Sequence, residues 1–284
     1  MGLARRHRIP PLPAGTRTAG TSASTRTAPY SAAWAGPTSP SGSAIAGDST
    51  WVFTAQETPA YNIGRYNRAT KSRDLVFQGS STTTATGDVI RGLGVFNGRV
   101  YAGDYAGNRI AVFTPAGILV RQWAVTSPGA LAVDSNGFIW VAQMSSSTLL
   151  QFDTLGTAGT VIHMDTASRP SALYVDNRHG QLLVGDQGPD MNIKIYDRQS
   201  AALLGSFGVP GGYLNQTSGI RGQTGDKRFT RVVGIGRDTQ GRLYVLNNPW
   251  GGTGTSAATA RRISTATTAP AHYSGPSRPS TSKA

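Results

Sequence analysis

Apolar and polar positions alternate in short runs between Arg91 and Tyr196, and the pattern is written three times. The first copy runs Arg91-Gly-Leu-Gly-Val-Phe-Asn-Gly-Arg-Val-Tyr-Ala-Gly-Asp104 and then Asn108-Arg-Ile-Ala-Val-Phe113. The second runs from Pro128 to Gln143 and then Thr148-Leu-Leu-Gln-Phe-Asp153; the third runs from Pro170 to Asp186 and then Asn192-Ile-Lys-Ile-Tyr-Asp197. Each copy reads as a short apolar strand, a Gly-containing turn, a second strand, a polar loop and a third strand, because a period of two marks half-buried strands.

Repeats of about 40 residues holding about four strands each predict an all-β propeller. Tyr66, Phe113, Phe152 and Tyr196 occupy one place in successive copies at spacings of 47, 39 and 44, which puts the length differences in loops. The inner strands are small and apolar (Leu93-Gly-Val95, Leu131-Ala-Val133, Leu173-Tyr-Val175, Val233-Gly-Ile235), as crowding near a propeller axis requires. The turns that follow, such as Asn97-Gly98 and Asp238-Thr-Gln-Gly241, are hairpin signals. One large side chain then recurs on the second strand (Tyr101, Trp140, Leu183, Tyr244), which predicts core packing for Trp140 and Tyr244. A less regular copy begins near Ile45 with three strands, Ala46–Thr54, Tyr61–Tyr66 and Asp74–Phe77. A last copy opens at Arg231 and stops after two strands, so about four and a half blades are visible. The expected organisation is a disordered low-complexity tail over 1–44, a propeller over 45–251 and a second disordered tail over 252–284.

Charge sharpens that division. Residues 1–44 carry five Arg and no acid, and residues 252–284 carry three Arg and one Lys and no acid. The middle therefore holds 18 of the 27 basic residues against all 14 acids, so the formal +13 is mostly a property of the ends. Scattered rather than clustered cations predict no nucleic-acid partner. With no Cys, disulfides and thiolate metal sites are excluded. No apolar run reaches the ~20 residues of a membrane span. Arg5, Arg6 and Arg8 are not followed by an apolar segment, so the chain as written shows no export signal; an extracellular location would need a different N-terminus. The bias of both ends also fits GC-rich sequence translated out of frame. Reading the coding region in all three frames tests this, and finding no continuing repeats would remove the idea.

The copies resemble NHL repeats. Gly103-Asp104 with Asn108-Arg-Ile-Ala-Val-Phe113 is similar to the later half of that unit without its His, and Pro128-Gly-Ala-Leu-Ala-Val-Asp134 is similar to the first half. The resemblance covers residues 45–250 and implies a ring of about six blades. Against that count, either the ends contribute unrecognised strands or the propeller is incomplete. Related propellers include calcium-dependent lactonases of the gluconolactonase group and a zinc-dependent lyase. The resemblance therefore implies that a metal, if one is held, sits at the ring axis.

The residues offer little for that chemistry. Calcium wants several carboxylates, and the only Glu is Glu57, while inner-strand starts present Arg91, Gly129, Ser171 and Arg231. Zinc wants His, and His7, His163, His179 and His272 are dispersed. No cofactor is expected, with calcium the one alternative. Asp104, Gln143, Asp186 and Asn247 fall at equivalent second-strand ends and form a candidate polar ring, although such residues also cap strand ends by accepting loop amides. Tyr213 and Arg231 flank a long insertion over Gly208–Thr230, and Trp250 lies in a Gly-rich loop; loops above about 15 residues are often functional. These seven are the candidate ligand-binding residues, and none is assigned a catalytic role. The expected function is a monomeric, non-enzymatic binding or scaffold module for a protein, peptide or glycan. The alternatives are a lactonase-like or lyase-like enzyme, or an inert fragment of a longer propeller protein.

Overall fold

In a computed structural model, the chain is described over residues 44–57, 61–84, 89–214, 227–247 and 263–267. The architecture is a β-propeller of antiparallel sheets in chain order. Blade 1 is β1 (Ile45–Gly47), β2 (Trp51–Glu57), β3 (Asn62–Asn67) and β4 (Arg73–Gln78). Blade 2 is β5 (Ile90–Phe96), β6 (Arg99–Asp104), β7 (Arg109–Phe113) and β8 (Leu119–Ala124). Blade 3 is β9 (Pro128–Val133), β10 (Ile139–Gln143), β11 (Thr148–Phe152) and β12 (Ala158–His163). Blade 4 is β13 (Pro170–Asp176), β14 (Gln181–Asp186), β15 (Ile193–Asp197) and β16 (Leu203–Phe207). Blade 5 is β17 (Val232–Arg237), β18 (Leu243–Asn247) and β19 (Ile263–Thr267).

Two expectations about strand number are corrected. Blade 1 has four strands rather than three, because the three-residue β1 pairs with β2 although its exposed Ile45 gives it no apolar pattern. Blade 5 has three rather than two, because β19, from the stretch expected to be a tail, pairs with β18. Backbone pairing needs no hydrophobic signature, so neither strand announced itself. Residues 1–43 and Trp250 lie outside the described residues, and no described helix is long and apolar enough to cross a membrane.

The core is divided between the blades. One face of each sheet, here the leading face, packs on the next blade in the chain; the other, trailing face packs on the previous one. Phe53 and Ile63 of blade 1 meet Leu93, Val100 and Phe113 of blade 2. Tyr101, Ile110 and Val112 meet Leu131, Val141 and Phe152. Trp140 and Leu149 meet Leu182, Val184 and Tyr196, and Leu183 and Ile193 meet Val232, Leu243 and Val245. The recurring aromatics Tyr66, Phe113, Phe152 and Tyr196 are all buried. The turn after β5 has φ 45° at Asn97 and 64° at Gly98, the left-handed pair that a two-residue hairpin demands. Trp140 is fully buried as expected, whereas Tyr244 is only half-buried. Tyr244 stands on the leading face of the last described blade, where no described sheet covers it.

Candidate functional site

The polar positions at second-strand ends come together for a backbone reason. In blades 2 to 5 the last residue of the second strand pairs with the first of the inner strand: Asp104 with Ile90, Gln143 with Pro128, Asp186 with Pro170 and Asn247 with Val232. Just inside each pair the register slips, a β-bulge repeated four times. In three of the four blades the side chain at this pair reaches the loop that leads into the inner strand.

Three of the four side chains then do similar work. Asp104 is fully buried; its Oδ2 accepts the Ser81 amide at 2.9 Å and Arg109 Nε at 2.8 Å. Its Oδ1 accepts Ser80 Oγ at 2.6 Å and the Gly107 amide at 2.9 Å. Asp186 Oδ1 accepts the Arg169 and Gly188 amides, both at 2.7 Å. Asn247 Oδ1 accepts the Thr230 amide at 2.9 Å, the Arg231 amide at 3.1 Å and Thr230 Oγ1 at 3.2 Å. Gln143 departs from this: its Oε1 accepts Ser146 Oγ, and the loop entering β9 is held by Asn108 of blade 2, whose Oδ1 accepts the Ser127 amide at 2.8 Å. Sequence reasoning passed over Asn108 in this role. Its signal was its fixed place opening the third strand, and its φ is 51°.

Asn247 and Arg231 are thus brought into contact, while Asp104, Gln143 and Asp186 each serve their own loop. Tyr213 lies in a short 3-10 turn (Gly212–Leu214), is half-buried, and its amide donates to Phe229 O at 2.9 Å. Arg231 stands one residue ahead of β17, so the bulge position that Arg91 and Ser171 occupy in blades 2 and 4 falls to Val233 in blade 5. Ser171 Oγ donates to Val232 O at 2.6 Å, tying blade 4 to blade 5. The Arg91 guanidinium lies 3.5 Å over the Tyr105 ring, a cation–π contact, and its Nη1 is 3.6 Å from Met144 Sδ in blade 3.

The charged groups nearby are mostly spoken for. Lys194 meets Asp190 and stands 3.4 Å from Asp186 Oδ2. Burial pulls the Lys194 ammonium down, and Asp190 and Asp186 more than restore it, leaving it above its ordinary value. Among the described residues no three His, Asp or Glu side chains gather as metal ligands. The arrangement ties the connecting loops to the second-strand ends, with Arg91 and Arg231 at the inner-strand entries.

No family model matches the chain, and no curated protein matches its sequence. The resemblance to NHL repeats therefore rests on the quoted motifs alone. Among solved structures the chain is similar to a streptogramin B lyase, with a TM-score of 0.54 and 16% identity over 74% of this chain. It spans 63% of that structure's length. Together with the sheet order, this likeness shows a β-propeller fold.

Proposed function

We propose that the chain is a non-enzymatic propeller module, NHL-like in its repeats, that binds a protein, peptide or glycan at the mouth where its second strands end. The contact residues are Arg231 and Tyr213, with Trp250 beyond the described residues and Asp104, Gln143, Asp186 and Asn247 as the frame beneath. The carrying observation is how the frame uses its acceptors. The oxygens of Asp104 and Asn247 and Oδ1 of Asp186 are occupied by amides and hydroxyls of the connecting loops. A carboxylate whose acceptors are committed this way positions backbone, and its release to a metal would cost those bonds. No cofactor belongs to this reading, and the active species is a monomer.

Thermal unfolding of the full chain with added Ca²⁺ or Zn²⁺ tests it. A stability that does not move with metal agrees with a binding module. A melting temperature that climbs with the logarithm of metal concentration would overturn it, because a ligand that prefers the native state stabilises by mass action. That outcome would favour a lactonase-like or lyase-like enzyme, a reading supported by the likeness to a lyase structure. Limited proteolysis addresses the third reading. A resistant core over 45–251 supports a working module, and digestion throughout supports an inert fragment.

A further inference from the structure

A cavity of about 280 Å³ opens at the other end of the strands, between blades 2 and 3, lined by Phe96, Arg99, Tyr101, Val112, Arg121 and Thr154 among others. Arg99 opens β6 and Asp104 closes it, so the cavity is separated from the candidate mouth by the length of a strand. Gly94, Tyr101, Val112 and Arg121 are cross-strand neighbours in one row, which places Tyr101 and Arg121 on the same leading face. Arg99, two residues before Tyr101, shares that face.

The other blades show what belongs here. Phe96 aligns with Asp134, Asp176 and Asp238, each two residues beyond the inner-strand position paired with the large second-strand side chain. All three carboxylates meet an arginine: Asp134 with Arg198 at 2.7 Å, Asp176 with Arg237 at 3.2 Å, and Asp238 with Arg242. Blade 5 gives the closest template. Arg242 lies opposite Asp238 as Arg99 lies opposite Phe96, and Tyr244 donates its hydroxyl to Asp238 Oδ2 at 2.9 Å. Blade 2 keeps the Arg and the Tyr and lacks the carboxylate.

The donors in blade 2 are correspondingly unspent. Arg99 Nη1 reaches only the Gly98 carbonyl and Arg121 Nη1 the Leu155 carbonyl, and neither guanidinium meets an acid among the described residues. Tyr101 is 2% exposed, and no described residue hydrogen-bonds its hydroxyl. Burial pushes that phenol above its ordinary value and the two guanidiniums pull it back, so near neutral pH it is a protonated donor. Among the described residues, two cations and a phenol line this cavity with no carboxylate to meet them, beside the apolar walls of Phe96 and Val112.

We propose that this cavity binds a small organic carboxylate carrying an apolar substituent. The carboxylate takes the place that Asp238 fills in blade 5, held by Arg99, Arg121 and Tyr101, and the apolar part lies against Phe96 and Val112. The site is independent of the mouth proposed above, since no residue is shared.

Benzoate titrated into the full chain by calorimetry is the probe, with benzamide as its uncharged isostere. Saturable one-to-one binding of benzoate and none of benzamide is expected. Arg99→Gln and Arg121→Gln should each weaken benzoate by about tenfold, the effect of losing one charge-assisted hydrogen bond, and Arg178→Gln should change nothing. Because Arg99 and Arg121 are exposed, these variants keep the fold. Phe96→Asp supplies the carboxylate internally, so it should raise the melting temperature and abolish benzoate binding. Equal response to benzoate and benzamide, undiminished binding by the Arg99 and Arg121 variants, benzoate binding that survives Phe96→Asp, or an effect reproduced by chloride at equal ionic strength would each overturn the proposal.

Discussion

Blade 2 and blade 5 carry the same inner-strand pattern and meet different fates. A Cβ built on Gly92 would lie 2.5 Å from the Gly129 carbonyl, and one on Gly94 would lie 2.5 Å from Val133 Cγ2, both in blade 3. The corresponding positions in blade 5 are roomy. Among the described residues Gly234 would meet only Leu246 of its own sheet, at 3.4 Å, and Gly236 would meet none within 4 Å. Leu246 is 37% exposed on that face, beside half-buried Tyr244. The ion pairs follow suit: Asp134 and Asp176 are each met by an arginine of the next blade, whereas Asp238 is met by Arg242 and Tyr244 of its own. The repeat is written for a neighbour on both sides. Where none is described, the same residues turn inward, and the described packing of blade 5 is its interface with blade 4.

The largest test of this contrast is Trp140→Ala against Tyr244→Ala. Trp140 is fully buried between blades 3 and 4, and its removal should cost about 3–5 kcal/mol. Half-buried Tyr244 should cost about 1 kcal/mol, chiefly its hydrogen bond to Asp238. Chemical denaturation of both variants decides it, and equal losses would mean that blade 5 has a covered leading face after all.

That pair also shows what was legible in the residues. Burial of Trp140 and half-burial of Tyr244 come from equivalent places in the repeat, so periodicity predicted both as core and was right for one. The strands themselves were readable because every third-strand aromatic and every hairpin Gly sits at a repeating place. The equivalence of Asp104, Asp186 and Asn247 was readable for the same reason. Their partners were not, since Ser80, which serves Asp104, lies in a loop without pattern; nor was the pairing of Asp134 with Arg198, 64 residues away. Contacts made across blades depend on which sheets become neighbours, information carried by the assembled propeller rather than by a window of sequence.

Next in size is Arg237→Gln. It strands the Asp176 carboxylate, whose side chain is 3% exposed, and leaves it with His179 and loop amides as partners. A buried acid that loses its cation is costly, and about 2–3 kcal/mol is expected by denaturation. Gly94→Ala should follow at about 1–3 kcal/mol, since the added methyl must displace Val133 and Leu131. Gly236→Ala should stay within about 0.5 kcal/mol of the parent, as an open site allows. A Gly236→Ala loss matching that of Gly94→Ala would break the comparison outright.

The smallest effect concerns pH and Asp238. Desolvation at the hairpin works against its charge, but hydrogen bonds from Arg242 and Tyr244 outweigh that, so its carboxyl titrates below its ordinary value. A carboxyl depressed by folding contributes stability that is present above its unfolded value and lost as pH falls through its folded one. The gap in melting temperature between the parent and Asp238→Asn should therefore be present at neutral pH and close as pH drops below the ordinary carboxylate range, about 4. Because Asp238 is served by its own hairpin, that gap should be smaller than the neutral-pH loss from Arg237→Gln, which breaks a pair between blades. A larger gap for Asp238→Asn would mean that its carboxylate, too, joins blade 5 to a neighbour.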